Sequence, residues 1–412
     1  MAGLAWELAN GFGIQRSLDQ DIWHAGHVND ILAIGYSAIV ASDTSGVWII
    51  NPDFDAIPVT SNYSATCVSD QWDQVNMSSL ASAPNDENHI FAGCYDSGTL
   101  YLLTLQINVG RVDFLQWKHI PLPFETGGIN KILTVTDPAM IVLACSNGVF
   151  WSPIPPVIEQ ISNYGWSAAA GLPIGGGFSD VANGLNSSVI AGAWGANTQT
   201  GLYGIFIGDW NQQRTSLAFK RATIQNLDPT LMLRTSVASC RGNRNFLYAV
   251  SDGANETIYS VLASQDGGNT WSARTIPANP GKLGWYNNCI DVTPANANIV
   301  AIGWRGGPFV SLDGAASWNV AGAGNDGLHS DLHAVYFPGL EDDPNALFVG
   351  SDGGVVLISG SGSVTSAYNK HLANLQVYSG GDSASYQFPG LYAAATQDNG
   401  NIYCVVDPNA PQ

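Results

Sequence analysis

The sequence predicts an all-β chain folded as one β-propeller of eight four-stranded antiparallel blades, with seven as the alternative, and residues 1–412 as that single domain. Three observations carry this expectation. An apolar hairpin recurs eight times at intervals of about 50 residues, the length of a propeller blade. No stretch of ten or more residues combines a helical period with helix caps. The chain opens on an orphan strand, Leu4-Ala5-Trp6-Glu7-Leu8, and the last copy stops at Val405-Val406-Asp407-Pro408 without an outer strand, so the N-terminal strand is expected to close the last blade.

Each copy is an apolar run, a turn of Asp, Asn or Gly, and a second apolar run. The first is Ile39-Val40-Ala41-Ser42-Asp43 before Gly46-Val47-Trp48-Ile49-Ile50, and the second is Ile90-Phe91-Ala92-Gly93-Cys94-Tyr95-Asp96 before Leu100-Tyr101-Leu102-Leu103. Ile141-Val142-Leu143-Ala144 and Val189-Ile190-Ala191-Gly192-Ala193-Trp194 begin the third and fourth. The later copies start at Phe246, Ile299, Leu347 and Leu391. Short β-branched and aromatic runs joined by such turns read as hairpins. A flat meander of that length leaves adhesive edges, which a closed ring removes.

Charge is scarce. Fourteen basic and 33 acidic residues give a net charge of −19, and charged residues are only 11% of the chain. With a pI near 4.4 and no Lys/Arg cluster, the chain has no attraction for phosphate backbones or anionic lipid, so neither nucleic acid nor membrane is an expected partner. A hydrophobic content of 45% excludes global disorder. Of the acidic residues 27 are Asp and six are Glu, as turn-rich architecture requires. The cysteines at 67, 94, 145, 240, 289 and 404 show no zinc-type spacing. They read as buried thiols, with Cys67–Cys94 or Cys240–Cys289 disulfides as the alternative. Sequons at Asn62, Asn76, Asn186 and Asn255 with few lysines fit an extracellular protein.

Ser264-Gln265-Asp266-Gly267-Gly268-Asn269-Thr270-Trp271 fits the pattern S-x-D-x-G-x-T-W, and Ser311-Leu312-Asp313-Gly314-Ala315-Ala316-Ser317-Trp318 repeats it with Ala315 for glycine and Ser317 for threonine. The carboxylate is placed to accept from turn amides, glycine permits positive φ, and tryptophan packs on the blade. A structural role is therefore expected for Ser264, Asp266, Gly268, Trp271, Ser311, Asp313 and Trp318. The two boxes within a repeated hairpin resemble the Asp-box (BNR-repeat) propellers: sialidases, family-74 xyloglucan-active glycoside hydrolases and sortilin-type receptors. His329 to Ala334, Gly350 to Val355 and Thr396 to Gly400 also look like segments of secreted Asp-box hydrolases. The segment Ala41 to Trp48 is similar to the T-D-x-G-G-A-Y stretch of family-74 enzymes, from which it departs at Ser42, Ser45 and Val47. That resemblance implies a base role for Asp43. A sialidase reading lacks the early Arg-Ile-Pro segment and a spread of arginines.

Candidate chemistry gathers where the first strand of each hairpin ends. Asp43, Asp96, Asp252, Asp352 and Asp398 share that position, and glycoside hydrolysis needs two carboxyl groups facing one cleft. Asp43 with Asp352 or Asp398 is the expected catalytic set, the repetition itself favouring turn chemistry for Asp96 and Asp252. Trp194 and Trp304 take the same position in two copies and, with Trp285 and Tyr286, are expected to offer flat faces to sugar rings. His329, Asp331 and His333 alternate before the strand Ala334-Val335-Tyr336-Phe337, which places them on one face at the channel. A hydrogen-bonded cluster tying loops together near the axis is the expectation there, with metal ligation or a proton-handling cluster as the alternatives; the three are also counted as substrate-binding candidates, and the chain is predicted to hold no metal and no cofactor. The functional expectation is hydrolysis of a neutral polysaccharide such as xyloglucan, with a non-catalytic, multivalent glycan-binding propeller as the alternative. A sortilin-like peptide scaffold is a third reading.

Overall fold

A computed structural model describes residues 14–17, 22–53, 63–108, 111–123, 125–161, 165–173, 175–323, 328–372, 374, 377–382, 391–396 and 401–405. Among these, the regular elements are β-strands and four single 3-10 turns. Seven antiparallel sheets follow one another as blades 1 to 7, at residues 28–67, 77–120, 129–168, 177–221, 235–273, 289–320 and 332–365. Within each blade the four strands lie side by side in chain order, the first lining the central channel. Blade 5 gains a fifth strand, Thr223–Gln225, parallel to Thr270–Ala273.

The second strand of each blade is buried on both faces, which explains its run of small and β-branched residues: Ser37–Ser42, Ala139–Cys145 and Leu347–Ser351 are examples. These strands sandwich one apolar core at each seam between neighbouring blades. Seven such cores exist among the described residues. The one that closes the ring joins Val28, Val40 and Ile50 of blade 1 to Ala334, Phe348 and Val355 of blade 7.

The expected eight blades are therefore corrected to seven. All eight hairpins form, but the seam between blades 7 and 1 completes the ring before the eighth. The copy at Leu391 instead belongs to a separate three-stranded sheet, Val377–Asp382, Leu391–Thr396 and Asn401–Val405. Closure by the N-terminal strand is corrected as well, because blade 7 draws all four strands from 332–365. Leu4–Leu8 lies outside the described residues. Cys67, Cys94, Cys145, Cys240 and Cys289 are free thiols, three of them buried, so neither Cys67–Cys94 nor Cys240–Cys289 is bonded.

Candidate binding site at the channel mouth

The strand register brings the repeat position to one end of the channel. Val28 pairs with Ser42, Gly177 with Trp194, Thr235 with Ser251 and Leu332 with Ser351, so the first strands start where the second strands finish. Asp43, Tyr95, Trp194, Asp252, Trp304 and Asp352 follow from that register at the same mouth. A cavity of about 630 Å³ opens there and runs inward between the first strands.

Aromatic rings wall part of this mouth. Tyr95 is 42% exposed and its ring lies 6.3 Å from that of Trp194; Trp285 is 53% exposed and its ring lies 5.5 Å from that of Tyr286. All four residues line the cavity. Arg234 braces them. Its guanidinium lies 5.2 Å from the Trp194 ring, and Nη1 donates to the carbonyls of Trp285 and Tyr286 at 2.8 Å each. The loop carrying Trp285 is fixed further by Asn288 Nδ2, which donates to the Arg234 carbonyl, and by Asn287 Nδ2, which donates to Asp331.

Trp304 is corrected from a sugar platform to a support. It is fully buried, and a Cβ on Gly284 would come within 2.6 Å of its ring. Glycine at 284 lets the Trp285 loop lie directly on Trp304, which leaves the indole no free face.

The carboxylates divide clearly. Asp43 lines the cavity half-buried, with a long 3.5 Å contact from Asn29 Nδ2. Asp352 is buried and engaged: His333 Nε2 lies 2.9 Å from Oδ1, and the Tyr286 hydroxyl donates at 3.0 and 3.2 Å to its two oxygens. His27 Nδ1 completes the group at 3.3 Å. Asp352 is thus corrected from a cleft-facing acid to the centre of a buried cluster. Asp252 is buried too and accepts from the Arg234 amide at 2.6 Å, as turn chemistry requires. Asp398 lies outside the described residues.

The alternation expected of His329, Asp331 and His333 does not form. The strand begins only at Leu332, and Asp331 has φ of 61°, which breaks the period of two. Asp331 faces Asn287, His329 sits against Gly353, and His333 alone reaches the buried cluster. Burial drives both clustered imidazoles toward the neutral form: His27 is lowered to about 4 and His333 to about 3. His27 was not singled out by sequence, because its partners lie in the last blade and only ring closure brings them near.

Deeper in the channel Asp30 accepts from Lys131 Nζ at 2.9 and 3.0 Å, Asp180 from two backbone amides, and Asp291 from the Phe337 amide. Burial raises Asp180 to about 6 against the opposing pull of Lys131. The S-x-D turns fold as expected. Asp266 accepts from Ser264, from the Thr270 amide and from its hydroxyl, while Trp271 is buried with its indole N–H on the Gly268 carbonyl. Asp313 repeats this with Ser311 and Ser317, although Trp318 donates instead to the Thr275 carbonyl.

No protein-family model and no curated protein sequence matches the chain. Among solved structures, YCF48 bound to D1 peptide is similar over 85% of this chain and 95% of its own, with TM-score 0.50 and 12% identity. A GH74 enzyme of Niastella koreensis is similar over 96% of this chain, with TM-score 0.62 and 15% identity, and this chain covers 60% of the enzyme's length. At such identity the likeness is one of fold: the chain is a seven-bladed β-propeller that resembles the GH74 architecture.

Proposed function

We propose that the propeller binds a polysaccharide chain across its aromatic mouth, with a neutral β-glucan such as xyloglucan as the ligand class. The observation that carries this reading is the set of part-exposed rings, Tyr95, Trp194, Trp285 and Tyr286, around one cavity, with Arg234 against Trp194 and bonded to the Trp285–Tyr286 backbone. Flat apolar faces beside polar edges suit pyranose rings, and fixing the loop beforehand reduces the ordering cost of binding. A net charge of −19 disfavours polyanionic glycans.

Hydrolysis is the second reading, favoured by the placement of Asp43. That carboxylate is the half-buried one at the mouth with only a long amide contact, and it suits a base or nucleophile. Two carboxyl groups about 5 to 9.5 Å apart are needed for the reaction. Asp352 is too deeply engaged to be the second, so Asp43 accounts for one half of the chemistry and binding is the primary activity.

A panel of soluble polysaccharides, assayed for binding by calorimetry and for release of reducing ends, tests both readings. Trp285→Ala should weaken binding roughly fivefold, a loss of about 1 kcal/mol, without lowering thermal stability. Asp43→Asn should retain binding and abolish any hydrolysis seen with the wild type. Failure of every polysaccharide to bind would remove the proposal. Binding of peptides alone would move the mouth to a peptide role, as the YCF48 structure with D1 peptide illustrates for another propeller.

A further inference from the structure

We propose that His27, His333 and Asp352 bind one zinc-class divalent cation at the seam where blade 7 meets blade 1. This site does not depend on carbohydrate binding. Its ligands come from three separate segments: the residue before the first strand of blade 1, the first strand of blade 7, and the turn after the second strand of blade 7.

The donor atoms already converge. His27 Nδ1 and His333 Nε2 lie 3.3 and 2.9 Å from Asp352 Oδ1, and one donor atom from each residue falls within 4.8 Å of the other two. The Tyr286 hydroxyl stands 3.0 Å from the same oxygen and 3.4 Å from His27 Nδ1. Bonds of about 2.0 to 2.2 Å in a tetrahedral zinc site separate neighbouring ligand atoms by roughly 3.4 Å, so both nitrogen-to-Asp352 separations already lie within about half an ångström of that spacing. The imidazoles stack with centroids 3.9 Å apart and planes 23° from parallel, so the rings must open apart by about 1 Å for both in-plane lone pairs to meet one ion at a tetrahedral angle. His89 offers a contrast. Its two nitrogens are taken by Asp86 and Glu159 on opposite sides of the ring, so its acidic neighbours cannot share one ion with it.

Proton accounting points the same way. A neutral imidazole has a single N–H. His333 faces two acceptors, Asp352 and the backbone of Tyr286, so one N–H cannot serve both as separate bonds. The His27, His333 and Asp352 side chains are 6%, 5% and 3% exposed, so the three donor groups meet away from bulk water. A cation held by the two nitrogens and Oδ1 would leave the single His333 N–H to donate to the Tyr286 backbone, and would offset the charge of a buried carboxylate. His27 Nδ1 would bind as the unprotonated nitrogen, which places its proton on Nε2, a buried atom without a hydrogen-bond partner among the described residues. Two imidazoles and a carboxylate oxygen form a donor set of the zinc type.

The test uses the whole chain, freed of metal by a chelator, equilibrated with Zn²⁺ and passed through gel filtration before metal analysis. About one zinc per chain is expected for the wild type, with a rise in melting temperature on adding Zn²⁺. His333→Ala should bind about 100-fold more weakly or worse and lose the thermal shift. Co²⁺ titration of the wild type reads the site without a variant, through the intense visible absorption of a tetrahedral centre. Wild-type protein that retains no zinc, a Co²⁺ spectrum of the octahedral aqua type, or a folded His333→Ala that binds as the wild type does would each overturn the proposal.

Discussion

Asp313 shows how a single exposed side chain can hold a turn. It accepts from the Ser317 amide at 2.8 Å, the Ser317 hydroxyl at 2.6 Å, the Ser311 hydroxyl at 2.8 Å and the Ala316 amide at 3.1 Å. These bonds, the Ser317 hydroxyl first among them, lower its carboxyl from 3.8 to about 2. The folded pKa lies below the unfolded one, so the stabilisation is complete above about pH 4 and is lost as pH falls toward 2. Asp313→Asn should therefore lower the melting temperature at pH 7, and the gap from wild type should close by pH 2 in parallel thermal melts. Equal gaps at both pH values would refute the assignment. Both S-x-D turns were legible because every partner of the Asp266 and Asp313 carboxylates lies within four residues. The His27 cluster was not, since Asp352 and Tyr286 reach His27 only when the two ends of the ring meet.

At the scale of the strand, a bulge recurs near the start of the first strand and faces a small residue in the second. The pairing shifts between Met77 and Ser79, between Phe178 and Asp180, and between Leu332 and Ala334. Opposite Ser79, Asp180 and Ala334 stand Gly93, Gly192 and Gly350. The next blade presses there: a Cβ on Gly192 would lie 2.1 Å from the Thr235 carbonyl oxygen, and one on Gly93 would lie 2.8 Å from the Ile129 side chain. Polar groups after the bulge also cross the seam, as Asp30 accepts from the Leu80 amide and Asp180 from the Val237 amide. Gly192→Ala should thus force blades 4 and 5 apart and cost about 1 to 3 kcal/mol, read as a lower urea midpoint with an unchanged slope. A neutral outcome would mean the seam can yield without loss. The small residues were visible in sequence as part of each hairpin run. Their purpose was not, because the clash they avoid is with atoms of a neighbouring blade, backbone at Gly192 and side chain at Gly93.

For the whole molecule, closure of the ring is the property that counting hairpins could not supply. Eight similar copies are compatible with seven or eight blades, and the choice depends on how neighbouring blades approach. Here blade 7 meets blade 1 through side-chain and backbone contacts made across nearly the full length of the ring's chain. The Ala25 amide donates to the Gly353 carbonyl at 2.8 Å, the Tyr368 hydroxyl donates to the Tyr36 carbonyl at 2.9 Å, and the Tyr36 hydroxyl donates to Asp342 at 2.8 Å. Asn374 does most. Fully buried, it accepts from the Gly26 amide at 2.6 Å while Nδ2 lies within 3.1 to 3.4 Å of the Gly26 and His27 carbonyls and the Ser42 hydroxyl. Asn374→Ala would strand the Gly26 amide and two carbonyls away from water, at a cost of about 1 to 3 kcal/mol. Because the same contacts hold His27 in place, the substitution should also weaken zinc binding more than Gly192→Ala does, although neither residue touches the ion. Measuring melting temperature and zinc affinity together separates these effects. Equal loss of stability with equal zinc affinity in the two variants would show that the seam and the His27 cluster are independent.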